Sequence, residues 1–240
     1  MRGAGERNQH AIAQEAVRAG ANFFDSSPMY GEAERVLADA VRPFRESVTI
    51  ATKVWAQSDR EGRTQIEQAL QWFSGRVEVY QIHNLIAIER HLPYLEELRA
   101  RGQVGAIGVT HYAHFAFPQL LRWMETGRIA CIQIPYNAAD RTVEAEILPR
   151  AQQLGIGVIV MRPFGEGYLV RRTPPESELR RFEDFGIHTW AQILLKWVVS
   201  DLRVHIAIPA TSKPERMTEN AAAGDPPWFG EEEREPIRFG

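Results

Sequence analysis

A carboxylate, a phenol, an ammonium and an imidazole stand at or just beyond the ends of three successive short apolar runs. Asp25 and Tyr30 close ANFFDSSPMYG, Lys53 closes VTIATK and His83 closes VEVYQIH. Where parallel strands form a barrel, their C-terminal ends share one mouth, and residues far apart in sequence converge there. Four such groups at one mouth suit proton transfer to a carbonyl oxygen. Each has a plainer reading when taken alone. Asp25 could cap a helix, Lys53 could be a surface charge, Tyr30 a boundary aromatic and His83 a satisfied core histidine. Their common placement at strand ends weighs against four separate coincidences.

The elements that must position them alternate along the chain. Strands are expected near 21–25, 48–53, 77–83, 104–110, 130–134, 157–161 and 204–208. A helix from about Glu6 to Ala19 precedes them, with Gly20 as its C-cap. Amphipathic stretches lie between the strands, among them EAERVLADAV, RTQIEQALQWF, IERHLPYLEELRARG and HTWAQILLKWVVS, and KPERMTENAAAG follows the last. Strict β–α alternation implies parallel strands with helical crossovers. Runs such as GVIVM and HIAI are apolar throughout, as expected of strands covered on both faces. The fold class is therefore α/β, a TIM (β/α)8-type barrel in which only seven strands and a leading helix are evident. The element expected but not found is a strand before the first helix. The chain reads as a single domain over 1–240, with no repeat and no low-complexity tract. The longest irregular stretch, 164–187, is expected to be functional or mobile.

Composition narrows the function classes. With 240 residues the chain can bury a full core, and its net charge of −3 leaves no basic face for nucleic acid. The EEERE run reads as a solvated helix start. The one cysteine, Cys131, excludes an intrachain disulfide and reads as a small core residue. No stretch approaches the ~20 apolar residues that span a bilayer, and MRGAGERNQH has no apolar signal region. A cytoplasmic enzyme acting on a small molecule, with no nucleic-acid or membrane partner, is the expectation. Oligomeric state is not legible.

Several segments carry a more specific resemblance. GANFFDSSPMYGEAERVLADAV resembles the first signature of the aldo-keto reductases, and IPATSKPERMTEN their last. GVIVMRPFGEGYL is similar to their seventh-strand segment, and VYQIHN to the strand carrying the active-site histidine. The four occur in order from Gly20 to about Gly224. The resemblance implies a nicotinamide-dependent reduction of an aldehyde or ketone to an alcohol. Tyr30 would be the general acid, Lys53 the ammonium that lowers its pKa, Asp25 the group that holds that ammonium, and His83 the residue that orients the carbonyl. A free phenol titrates near 10, so a neighbouring cation would bring it toward a useful range.

The resemblance also implies cofactor contacts. Gln133 matches the glutamine that holds the nicotinamide carboxamide. Thr110 and His111 stand where the family often has Ser-Asn. Met161 and Arg162 stand where many members have an aromatic residue and a serine, leaving Met161 as a soft apolar contact and Arg162 near the pyrophosphate. Thr211, Lys213 and Arg216 would surround an adenosine 2′-phosphate, and Glu219 and Asn220 match adenine contacts. NADPH is accordingly expected over NADH, although Ala210 replaces a lysine found in some members. Trp55, one turn of chain past Lys53, is expected to line an open substrate pocket together with 84–87, 111–115 and 164–187.

Other features read as structural. Trp72, Trp123, Trp190 and Trp197 fall on helical runs and suit packing. His111 and His114 have no cysteine or acidic neighbour in sequence to make a zinc site. GEG at 165–167 is too short for a dinucleotide fingerprint. Two alternatives remain beside the reductase. A non-catalytic nucleotide-binding or sensor protein is motivated by the absent strand, and an isomerase or lyase on the same fold is not excluded by fold.

Overall fold

The computed structural model describes residues 4–235 and 237. Seven strands form one parallel sheet in sequence order: β1 (Phe23–Asp25), β2 (Thr49–Val54), β3 (Val77–Ile82), β4 (Val104–Thr110), β5 (Cys131–Pro135), β6 (Gly157–Met161) and β7 (Ile206–Ala207). Every expected strand is present, and each neighbouring pair is parallel. The crossovers are helical, α2 (Ala33–Val41), α3 (Asp59–Trp72), α4 (Ile88–Ala100), α5 (Phe117–Met124), α6 (Ile147–Leu154), α7 (Glu176–Leu179) and α8 (Trp190–Val199), with α1 (Ala4–Arg18) ahead of the first strand and α9 (Arg216–Ala222) and α10 (Glu231–Arg234) after the last. This is the TIM-type α/β architecture, curled into an incomplete barrel with β1 and β7 as its two ends.

Local chemistry explains the boundaries. Gly20 takes φ +86°, a left-handed conformation that glycine adopts without steric cost, and ends the first helix. Ser58 caps α3 by accepting from the Glu61 N–H, and Thr189 with Gln192 forms a reciprocal capping box on α8. The strands are rich in β-branched residues, and β5 is buried along its whole length. One face of each strand meets the helices, where Ile50, Ile82 and Trp197 are fully buried. The other face points into the barrel and carries polar side chains.

Register places those polar side chains in one row. Lys53 pairs with Gln81, Gln81 with Gly108 and Gly108 with Cys131. Gly108 is needed there for space. A Cβ on it would come within 2.5 Å of Cys131 Sγ and 3.1 Å of Gln81 Cγ. Cys131 is buried as expected, but it faces the polar interior of the barrel, and burial pushes its thiol up to about 12.

The segment 164–187 is a series of short helical turns rather than an open loop. Leu169 and Phe182 are buried, and the Leu169 carbonyl accepts from the Trp190 indole N–H at 2.9 Å. Trp190 and Trp197 are core residues, and Trp72 and Trp123 pack half-buried against the core. On the outer side of the two sheet ends, α1 is joined to α9 and to the loop before it. Asn8 Nδ2 donates to the Ser212 carbonyl at 2.8 Å, and Thr218 Oγ1 to Glu15 at 2.7 Å.

Candidate active site

The mouth is built from the C-terminal ends of β1, β2 and β3 and the turns that follow them. Lys53 Nζ lies 2.7 and 2.8 Å from the two oxygens of Asp25 and 2.8 Å from the Ser26 carbonyl. The Lys53 side chain is fully buried and that of Asp25 nearly so. An ammonium has three N–H donors, so these acceptors use all of them. After Asp25 the chain turns sharply. Ser27 caps a short 3-10 turn over Pro28–Tyr30, its hydroxyl accepting from the Met29 N–H, and Gly31 ends the turn at φ +63°. That turn lifts Tyr30 out of the barrel, leaving it 54% exposed, with its ring edge-on to His83 at a centroid distance of 6.3 Å.

The electrostatics differ from the expectation in one respect. The Tyr30 phenol is pushed above its ordinary value by partial burial and by the Asp25 carboxylate. The one cation acting to lower it is Arg162 rather than Lys53. The Lys53 ammonium is instead engaged by Asp25 and the Ser26 carbonyl. His83 is pushed down to about 4 by burial, by Lys53 and by His111, so its imidazole is neutral at pH 7. Its Nδ1 sits 3.0 Å from Ser27 Oγ. Ser27 was not singled out in the sequence. The available signal was its place two residues past a strand-end aspartate and before a proline.

A cavity of about 1530 Å³ opens beside these groups, lined among others by Asp25, Tyr30, His83, Gln133, Met161 and Arg162. It continues along the gap between β1 and β7 to Ala210, Thr211 and Asn220. A second cavity of about 1010 Å³ adjoins it. Arg162, Ala210, Thr211 and Asn220 line both, and Thr189, Arg216 and Glu219 line the second. Eight of the expected cofactor and catalytic positions besides Tyr30 and His83 thus border one continuous trough: Asp25, Gln133, Met161, Arg162, Thr211, Arg216, Glu219 and Asn220.

The remaining positions lie apart from it. Among the described residues lining the two cavities, Lys53, Thr110, His111, Lys213 and Trp55 do not occur. Thr110 is buried and its hydroxyl accepts from the Asn84 N–H at 3.1 Å. His111 accepts from the Ala113 N–H and stacks on Tyr112, which does line the first cavity. Lys213 is exposed, its N–H donating to Thr211 Oγ1. Trp55 is 39% exposed at the end of β2, its backbone held by both ends of the Gln65 amide. Glu219 is engaged by the Thr189 hydroxyl.

Arg162 is held in place from three sides. Its backbone takes φ +56°, unusual for a residue with a side chain, and its carbonyl accepts from Asn137 Nδ2 at 3.0 Å. Its guanidinium pairs with Glu166 at 3.0 Å and lies 5.0 Å over the Tyr112 ring. Tyr112 belongs to the 111–115 segment expected to line the pocket, whereas Asn137 was not foreseen, because its role depends on a strained turn that sequence does not display. No group of three or more His, Cys, Asp or Glu suited to a metal occurs among the described residues, and no described helix is long and apolar enough to cross a membrane.

Comparison with known proteins agrees with the geometry. The family model for the Aldo/keto reductase family matches residues 5–233. An aldo-keto reductase of Gibberella moniliformis is 26% identical over 88% of this chain and 77% of its own length. The methylglyoxal reductase YeaE of Escherichia coli is 26% identical over 90% of this chain and 78% of its own length. Among solved structures, an aldo-keto reductase from Klebsiella pneumoniae in complex with NADPH superposes with a TM-score of 0.81 at 25% identity, covering 96% of this chain and 84% of that one. With the family model spanning nearly the whole sequence and the strand-end residues gathered at one mouth, the chain belongs to the aldo/keto reductase family of oxidoreductases.

Proposed function

We propose that this protein reduces an aldehyde or ketone to an alcohol using NADPH, with Tyr30 as the proton donor. The observation that carries the reading is the single trough that runs from Tyr30 and His83 past Gln133 and Arg162 to Arg216 and Asn220. Its lining fits an extended dinucleotide. An amide donor and a soft thioether lie at the reactive end, and cationic side chains lie farther along. Gln133 would hold the carboxamide, Met161 would contact the nicotinamide face, and Arg162 would face the phosphates. Arg216, with Lys213 nearby on the surface, would favour a 2′-phosphate. When bound, the reduced nicotinamide supplies the hydride that becomes the new C–H bond.

The chain's own residues do the rest. Ser27, which accepts from the Met29 N–H, lies 3.0 Å from His83 Nδ1, and donating its own proton there would leave the imidazole proton on Nε2. That N–H then points a neutral donor at the carbonyl oxygen. Tyr30 transfers its phenolic proton to the same oxygen as negative charge develops there, leaving a phenolate beside Arg162. Lys53 acts by fixing Asp25 and Ser26, and so the start of the turn that carries Tyr30. The exposure of Tyr30 favours an open pocket that admits bulky as well as small carbonyl compounds.

Titration of NADPH fluorescence, followed by addition of 4-nitrobenzaldehyde, tests the proposal with Tyr30→Phe as control. Tight binding and oxidation that vanishes in the variant is the expected result. Binding without oxidation against a panel of aldehydes and ketones would favour a nucleotide sensor, and turnover without nicotinamide oxidation an isomerase or lyase.

A further inference from the structure

Gln81 is buried on β3, two residues before His83, and its side chain points into the barrel. Its Nε2 donates to Gln133 Oε1 at 2.8 Å and to Asp25 Oδ1 at 3.3 Å. Its own Oε1 is buried and has no hydrogen-bond partner among the described residues. The absence of a side chain at Gly108 leaves room for Gln81 to pass over β4 and reach β5.

We infer that Gln81 is a positioning residue that transmits the negative charge of Asp25 to the orientation of the Gln133 amide. The two ends of an amide are nearly equal in shape, so something must decide which end faces which neighbour. Asp25 decides it for Gln81, because a carboxylate only accepts. The Nε2 of Gln81 must turn toward Asp25, and the same nitrogen then meets Gln133. Gln133 therefore turns its oxygen inward and keeps its own N–H donors for the cavity it lines. Turning the Gln81 amide over would set its oxygen against the Asp25 carboxylate, so the orientation that leaves Oε1 without a partner is the less costly one. The Asp25–Lys53 pair and the amide donor facing the mouth are thus parts of one buried hydrogen-bonded line.

This inference rests on the nicotinamide reading only for its functional consequence. In protein without cofactor, side-chain amide NMR reads the network itself, with Gln81 and Gln133 signals assigned by their loss in Gln81→Met and Gln133→Met. The Gln81 amide protons should exchange slowly with water, and Gln81→Met should move the Gln133 pair. Fast exchange, or a Gln133 pair that stays in place in a folded Gln81→Met or Gln81→Leu protein, overturns the inference. The second arm is NADPH affinity by fluorescence. Gln81→Met and Gln133→Met should each weaken binding about five- to tenfold, the size expected for one hydrogen bond, and the double variant no further. Additive losses would overturn the coupling. A wild-type protein that does not bind NADPH would instead defeat the nicotinamide reading, leaving the NMR result to decide the orientation.

Discussion

The Lys53 ammonium and the Asp25 carboxylate satisfy each other at 2.7 and 2.8 Å, with Lys53 fully buried and Asp25 nearly so. Removing one partner leaves the other as a buried uncompensated charge. Lys53→Met and Asp25→Asn are each expected to lower stability by about 3–5 kcal/mol. The double variant should cost much less than their sum. Urea unfolding of the four proteins measures the coupling, and simple additivity would show that the pair is not a unit.

Two buried groups give stability opposite slopes in mildly acidic solution. His83 is pushed down to about 4 from an ordinary value of 6.5, so its contribution is present above pH 6.5 and is lost as pH falls toward 4. Glu34, buried on α2 and accepting from the Thr52 hydroxyl, is pushed up to about 7 by burial, so its contribution is present below pH 4.5 and is lost as pH rises through 7. Between pH 4.5 and 6.5 the two effects oppose each other. Glu34→Gln should make stability rise with pH across that window, and His83→Gln should make it fall, each by on the order of 2 kcal/mol. Melting curves at half-unit pH intervals reveal the slopes, and parallel curves for both variants would contradict the assignment.

Arg162, rather than Lys53, is the cation that acts on the Tyr30 phenol. In Arg162→Met the phenol loses that stabilisation of its ionised form, and its pKa rises further. If Tyr30 is the proton donor, the alkaline limb of the kcat/KM profile should move to higher pH in this variant. The limb should not rise in Glu166→Gln, which removes the carboxylate paired with Arg162 and leaves its charge. An unmoved limb in Arg162→Met would return the role to a more distant charge.

Gly108 tolerates no side chain without movement of its neighbours. Gly108→Ala sets a methyl 2.5 Å from Cys131 Sγ and 3.0 Å from its carbonyl oxygen. A loss of about 1–3 kcal/mol is expected. Cys131→Ala in the same chain should restore part of it by removing the sulfur, though not the backbone contact. Thermal unfolding of the single and double variants reads the rescue directly.

All seven strands were legible because fully apolar runs bounded by turns leave little alternative, and the helices between them repeat their apolar faces at helical spacing. Asp25, Tyr30, Lys53 and His83 were legible because strand ends in a parallel barrel converge whatever the loops do. Gln81 was not, since one amide inside VEVYQI gives no sign that it bonds to Gln133, 52 positions away, across a strand opened by a glycine. Glu34 reads in sequence as one more acid opening a helix, and only its burial against β2 sets it apart. That Arg162 also acts on Tyr30 is hidden for a related reason. Sequence places Lys53 at the mouth but does not show that Asp25 and Ser26 take all three of its protons. The left-handed backbone of Arg162 is likewise invisible until the turn around it is seen.

The gap between β1 and β7 has a mechanical consequence. Tyr30 and Asp25 ride on one end of the sheet, while Ala210 and Thr211 follow the other, and all four border the same trough. No strand-to-strand hydrogen bond joins the two ends among the described residues, so their spacing is set by the long path through five intervening strands and by the clasp of α1 on α9. A molecule lying along the trough would touch both ends at once and serve as the missing rung. Hydrogen exchange at the backbone of α1 and α9 should therefore slow when the trough is filled, so that occupancy at the mouth is felt as stiffness at the outer wall.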